Sequence, residues 1–199
     1  MIPSSAIEAA TQIIEAAEKR GVRLRLLGGL AFKMLCPSSR DSRYFRSNKD
    51  IDLMGKRDDS REIVKIMETL GYKPRELFNK LNLGQRLIYY DMENKRRVDL
   101  FLDEFVMCHK FNFKESILAG TYTLPMTQLL MTKLQVVEKT DKEYKDLVVA
   151  FRDCDAFLEE NTQRISFRIV IDLQASNLQY LGILLVRQAV TISLGSGVL

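Results

Sequence analysis

The chain has 199 residues, 46% of them hydrophobic and 28% charged, which is enough to bury one sizeable core and excludes a disordered or fibrous protein. The net charge of +4 and a pI near 8.9 permit a polyanionic partner without requiring one. Cys36, Cys108 and Cys154 have no CxxC or zinc spacing, and an odd number of thiols cannot pair fully within one chain, so a reducing cytoplasm is expected.

The longest apolar stretch, Leu181-Gly182-Ile183-Leu184-Leu185-Val186, stops at Arg187. That is far short of the roughly 20 residues of a membrane-spanning helix. The start, Met1-Ile2-Pro3-Ser4-Ser5, lacks the basic head and apolar run of a signal peptide. Neither export nor a membrane partner is expected.

In chain order, Ser5 and Glu8 form a capping box, and Ile7, Ala10, Ile13, Ile14 and Ala17 recur at helical spacing until Gly21. Val22, Leu24 and Leu26 alternate with Arg23 and Arg25 as a short strand running into Gly28-Gly29. A short helix, Leu30 to Leu35, is stopped by Pro37, and the arginine-rich stretch from Ser38 to Asn48 reads as a loop. Asp50-Ile51-Asp52-Leu53 alternates as a half-buried strand does.

A third helix is predicted through Ile63, Ile66, Met67 and Leu70, with Gly71 just past its end. Arg86 to Met92 and Arg97 to Leu102 read as a hairpin turning at Glu93-Asn94. A less regular stretch holds Cys108-His109, after which Met126 to Glu138 and Asp141 to Glu160 read as helices with a break at Thr140. The segment from Ile165 to Leu199 is poor in charge and reads as a strand or loosely packed extension.

Three features carry chemistry. Asp50 and Asp52, two apart on one strand, share a face and suit a hard divalent cation. Alternating aspartates also occur where they merely solvate a sheet. Asp99 on the hairpin's second arm would complete a carboxylate set for two-metal catalysis, provided its strand lies beside theirs. Gly28-Gly29, closing a strand before a helix, lets backbone N–H groups approach a triphosphate, although a lone Gly-Gly is more often an ordinary turn.

Lys133 falls within the apolar stripe of Met126, Leu129, Leu130, Val136 and Val137, where an ammonium must snorkel out or meet an anion such as a phosphate. Arg40, Arg43, Arg46, Lys49, Lys56 and Arg57 flank the aspartate pair, and Lys95-Arg96-Arg97 precede Asp99. As clusters these are either a solvated basic face or a phosphate-backbone cradle. Tyr89-Tyr90, Phe111 and Phe113 could stack on bases, although strand aromatics more often pack a core. His109, the one histidine, excludes a hydrolase that needs a base held by a third group.

The ordered set Leu27-Gly28-Gly29-Leu30, Arg46-Ser47-Asn48-Lys49-Asp50-Ile51-Asp52-Leu53 and Arg97-Val98-Asp99-Leu100-Phe101 resembles the DNA-polymerase-β-like nucleotidyltransferases. With Leu129 to Gln135 and Tyr144-Lys145-Asp146-Leu147, it is similar in particular to the AbiEii-like family, whose members include toxins of type IV toxin–antitoxin systems. The resemblance spans about residues 20 to 158. It implies an α+β polymerase-β-like fold, a small mixed β-sheet flanked by helices.

It also implies Asp50 and Asp52 as metal ligands and Asp99 as the third carboxylate, helping to deprotonate an acceptor hydroxyl. Gly28 and Gly29 would cradle the triphosphate, with Arg46, Lys49, Lys133, Lys145 and Asp146 completing the nucleotide site.

The expected function is transfer of a nucleoside monophosphate from a nucleoside triphosphate (ATP, GTP or CTP), with Mg2+ or Mn2+, to a hydroxyl. An RNA acceptor such as a tRNA 3′ end is favoured, with a toxin role and a cognate antitoxin or toxin protein as partner. Modification of a protein side chain and a catalytically silent binding module are the alternatives. Residues 1–161 are expected to form the catalytic domain with its helical C-terminal part, and 162–199 an extension of unknown role.

Overall fold

A computed structural model describes residues 2–45 and 47–154, together with the backbone of two short strands at 156–157 and 165–166. Arg46 and the rest of the segment beyond 154 lie outside the described residues.

Helix α1 (Ala6–Glu18) starts where the Ser5 hydroxyl accepts from the Glu8 N–H and buries Ala10, Ile13, Ile14 and Ala17. Gly21 follows at φ +73°. Strand β1 (Arg25–Leu27) is buried at every position. Arg25, expected on the solvent side of an alternating strand, is buried because its guanidinium donates to Glu18 (2.8 Å) and to the Leu24 carbonyl (2.8 Å).

The chain turns at once into α2 (Gly28–Leu35). Pro37–Arg40 form a 3-10 turn rather than open loop. The turn docks on a distant helix end, where the Asp153 carboxylate accepts from the Ser38 N–H (2.7 Å) and hydroxyl (2.5 Å). Nearby, the Cys36 and Cys154 thiols, 118 residues apart in the chain, are hydrogen-bonded; with burial, that contact pushes the Cys36 thiol up.

Strand β2 (Ile51–Gly55) leads through a 3-10 turn at Arg57–Asp59 into α3 (Ser60–Thr69), with Gly71 at φ +88° beyond it. The short β3 (Lys73–Pro74) and α4 (Glu76–Asn82), neither predicted, precede the expected hairpin of β4 (Arg86–Asp91) and β5 (Arg96–Leu102). The stretch around Cys108-His109 is a second hairpin, β6 (Glu104–Val106) with β7 (Lys110–Asn112). It is followed by the single turn α5 (Ser116–Ala119).

Both later helices are shorter than expected. Helix α6 (Met126–Leu134) ends four residues early, where the Lys139 ammonium donates to the carbonyls of Leu134 (3.3 Å) and Val136 (2.7 Å). Val136 and Val137 therefore lie outside the helix, and Val137 is 81% exposed. Helix α7 (Asp141–Asp153) begins at a capping box of Thr140 and Glu143 and stops where Cys154 has extended backbone, short of the predicted end at Glu160. Instead β8 (Ala156–Phe157) pairs in parallel with β9 (Ile165–Ser166), the one described part of the C-terminal segment.

The central sheet has five strands in the order β1-β2-β5-β4-β3 and is mixed, since only β2 and β5 run parallel. Alternation divides its faces. Leu53, Leu87, Tyr89, Val98 and Leu100 point into the core. A side chain on Gly55, in phase with Leu53, would meet Leu24, Ile63 and Leu102, so α3 packs there. The opposite face carries Asp52, Asp99, Arg97 and Arg86. No helix among the described residues is long and apolar enough to cross a membrane.

A carboxylate and arginine cluster on the sheet

The parallel register of β2 and β5 sets Asp52 directly against Asp99. Residues in register on neighbouring strands share a face, so the two carboxylates are cross-strand neighbours. Asp50 stands just before β2 and is exposed, Asp52 is half-buried, and Asp99 is 1% exposed. Burial first, and the charge of Asp99 second, push the Asp52 carboxyl up to about 6, while Lys133 and Arg97 pull it down.

Arginines are threaded among these acids. Arg86 donates Nε to Asp99 Oδ1 (2.7 Å) and Nη2 to Oδ2 (2.8 Å), a bidentate fork. Arg97 bridges Asp99 and Asp50, with Nε 3.4 Å from Asp99 and Nη2 3.6 Å from Asp50. Among the described residues no group of three or more His, Cys, Asp or Glu is gathered as a ready metal cage. In donor chemistry the trio still fits a hard divalent cation, because carboxylate oxygens are the ligands Mg2+ and Mn2+ take. The raised Asp52 reflects first its burial and then the neighbouring Asp99 charge, both of which a bound cation would offset.

Gly28 closes one side of the cluster. At φ +67°, a Cβ built on it would overlap the Asp52 carboxylate, so the position takes glycine on both counts. Leu27, at the N-cap of α2, offers no side-chain cap, which leaves the helix start at Gly28-Gly29 without a competing acceptor from that residue. Asn48 donates to the Gly29 carbonyl (3.3 Å) and ties the loop before β2 to this turn.

Lys133 neither snorkels nor stands free. It is 12% exposed and pairs with Asp146 at 2.9 Å and Glu143 at 3.8 Å, both on α7. Lys145 pairs with Asp141 at 3.6 Å and lines a small cleft with Gly29, Lys33, Asn48 and Asp146. Lys49 is exposed on the loop before β2.

Arg96, expected in the basic run before Asp99, faces the other way. It is buried, pairs with Asp91 at 3.2 Å and donates to the carbonyls of Pro3, Ser4 and Ser5, pinning the N-terminal segment to the hairpin. Tyr89, Phe111 and Phe113 are buried and pack the core rather than offering a stacking platform.

Sequence reasoning passed over Arg86 and Glu143. Alternation alone could have put Arg86 on the face of Asp99 once the hairpin register was known, and the capping box held the clue to Glu143.

The mixed sheet with this strand order, the glycine turn into a helix and the paired aspartates on adjacent strands together make the α+β arrangement of the polymerase-β-like fold. The model of a family described as uncharacterised nucleotidyltransferase matches residues 4–132, and the chain belongs to that family. The match covers the sheet and runs into α6 as far as Thr132.

No curated protein matches the sequence. Among solved structures, the lincosamide antibiotic adenylyltransferase LnuA with lincomycin bound is 14% identical over 69% of this chain and 91% of that one, with a TM-score of 0.50. This is a likeness of fold. Two structures of the antibiotic-resistance factor ANT(2'')-Ia, one in solution and one with adenylyl-2''-tobramycin, share 15% and 17% identity. They cover 73% and 72% of this chain and 83% and 86% of their own, with TM-scores of 0.48 and 0.47.

Proposed function

We propose that the chain transfers a nucleoside monophosphate from a nucleoside triphosphate to a hydroxyl of an RNA end, with Asp50, Asp52 and Asp99 as the metal-holding carboxylates. The observation that carries this reading is the register of Asp52 against Asp99 beside a position that only glycine fills. Two buried or half-buried acids side by side are costly unless a cation joins them, and a divalent ion there would neutralise triphosphate oxygens and ease deprotonation of the attacking hydroxyl.

The chain's own residues supply position and charge. The turn at Gly28-Gly29 admits the triphosphate against backbone N–H groups. The acceptor oxygen attacks the α-phosphorus, the bond to the β-phosphate oxygen breaks, pyrophosphate leaves, and the acceptor proton passes toward Asp99. Lys133 and Lys145 meet the phosphates from α6 and α7, Lys133 exchanging Asp146 or Glu143 for phosphate oxygen. Lys49, exposed on the loop before β2, flanks the entrance, and the resemblance assigns Arg46 to the nucleotide as well.

An RNA acceptor is supported by the exposed Arg40, Arg43 and Lys49 around the approach to β2, and by the resemblance to AbiEii-like enzymes, which also suggests a toxin role beside a partner protein. Arg96 no longer belongs to the basic surface. Residues 1–161 are read as the catalytic unit.

The test incubates purified chain and Mg2+ with each α-labelled nucleoside triphosphate and, separately, total RNA, protein extract and small-molecule alcohols. Label on RNA alone is expected; label on protein or small alcohols instead would replace the acceptor reading.

A further inference from the structure

Arg86 opens β4, which runs antiparallel to β5 with Ile88 opposite Asp99 and Arg86 opposite Phe101. Arg86 is thus the diagonal neighbour of Asp99 on one sheet face. Its guanidinium lies 4.8 Å from the centre of the Phe101 ring and forks both oxygens of Asp99.

The two partners differ in access. Asp99 is almost wholly buried, whereas the Arg86 side chain is 40% exposed. The arginine therefore covers the acid from the open side, with room to swing while the ring holds its plane. Both oxygens it holds are ones a hard cation would need, and Arg97 adds a second, longer contact to Oδ2 at 3.4 Å.

We propose that Arg86 is a positioning residue for nucleotidyl transfer that acts through Asp99: its fork sets the direction of that carboxylate beside Asp52, and its charge competes with the divalent cation for the same two oxygens. Loading of the site then goes with release of at least one arm of the fork. The inference rests on the metal-holding reading of the carboxylates. Lysine at this position would keep the charge but could not fork.

The experiment follows Mn2+ binding to the full chain by electron paramagnetic resonance of the free ion, without nucleotide, beside kcat and KM for the triphosphate and the melting temperature. Arg86→Gln should bind Mn2+ about three- to tenfold more tightly, the gain kept modest by solvent screening. Its kcat should fall about tenfold or more as Asp99 loses its direction. Arg86→Lys should bind Mn2+ within about twofold of wild type and still lose kcat.

A merely structural Arg86 would weaken Mn2+ binding as the melting temperature falls, and that result overturns the proposal. So does an unchanged affinity in Arg86→Gln or, should that variant not fold, an Arg86→Lys enzyme with full kcat. Wild-type protein that takes up no more Mn2+ than Asp52→Asn would overturn the metal reading itself, and the inference with it. Normal wild-type loading with an indifferent Arg86→Gln sinks the inference alone.

Discussion

Asp52 and Asp99 stand opposite each other on two parallel strands, 47 positions apart in the chain and neighbours on one sheet face. The pairing concentrates negative charge where the sheet is half-buried, and the consequences are measurable with and without metal.

Without metal, Asp52 works against the fold at neutral pH. Its folded pKa of about 6 lies above the ordinary value of 3.8. Its contribution to stability is therefore fully present below about pH 4 and is lost as pH rises through 6. Asp52→Asn, neutral throughout, should be more stable than wild type above pH 6 by on the order of 1–3 kcal/mol. The difference should vanish near pH 4. Urea unfolding in chelator across this range reads it, and a variant less stable at pH 8 would contradict the electrostatic account.

Gly28→Ala should cost about 1–3 kcal/mol and abolish triphosphate binding, because the new methyl meets the Asp52 carboxylate at a strained backbone position. Gly21→Ala is the control. It has a similar φ of +73° with open space around it, so it should cost about 1 kcal/mol and leave binding intact. Thermal melts and nucleotide titration of both separate close approach from backbone strain.

The Lys133–Asp146 pair is nearly buried, so Lys133→Met should destabilise by roughly 3 kcal/mol through the charge left behind. Pairing it with Asp146→Leu should recover much of that loss but no transfer activity. Full activity in the double variant would remove Lys133 from the nucleotide site.

Arg96→Ala should destabilise by about 3 kcal/mol, since Asp91 would remain buried without its cation, held by the Asn94 N–H groups. The salt dependence of RNA binding should stay as in wild type. Arg40→Ala and Arg43→Ala should leave stability within about 0.5 kcal/mol and lower the salt slope by roughly one each. Filter binding at several salt concentrations makes the comparison.

Elements with strong local signals were legible in the sequence: α1 and α3 from periodicity and caps, β2 and the β4–β5 hairpin from alternation, and the start of α7 from the break at Thr140. The ends of α6 and α7 were not, because the Lys139 ammonium that terminates α6 and the extended backbone at Cys154 follow from contacts and geometry outside any periodic pattern. Arg25 and Arg96 read as surface charges for the same reason. Their partners, Glu18, Asp91 and the carbonyls near the N-terminus, come from other elements. The candidate site residues were visible as types and spacings, whereas the Asp52 and Asp99 register, the Arg86 fork and the pairing of Lys133 depend on how distant segments meet.

Transfer from triphosphate labelled at the α or at the γ position tests the central claim most directly, using wild type and Asp52→Asn with and without Mg2+ or Mn2+. The account predicts that α label moves to the acceptor, that γ label leaves as pyrophosphate, and that both need metal and an intact Asp52. Label from the γ position on the acceptor, or equal transfer by the variant, would contradict it.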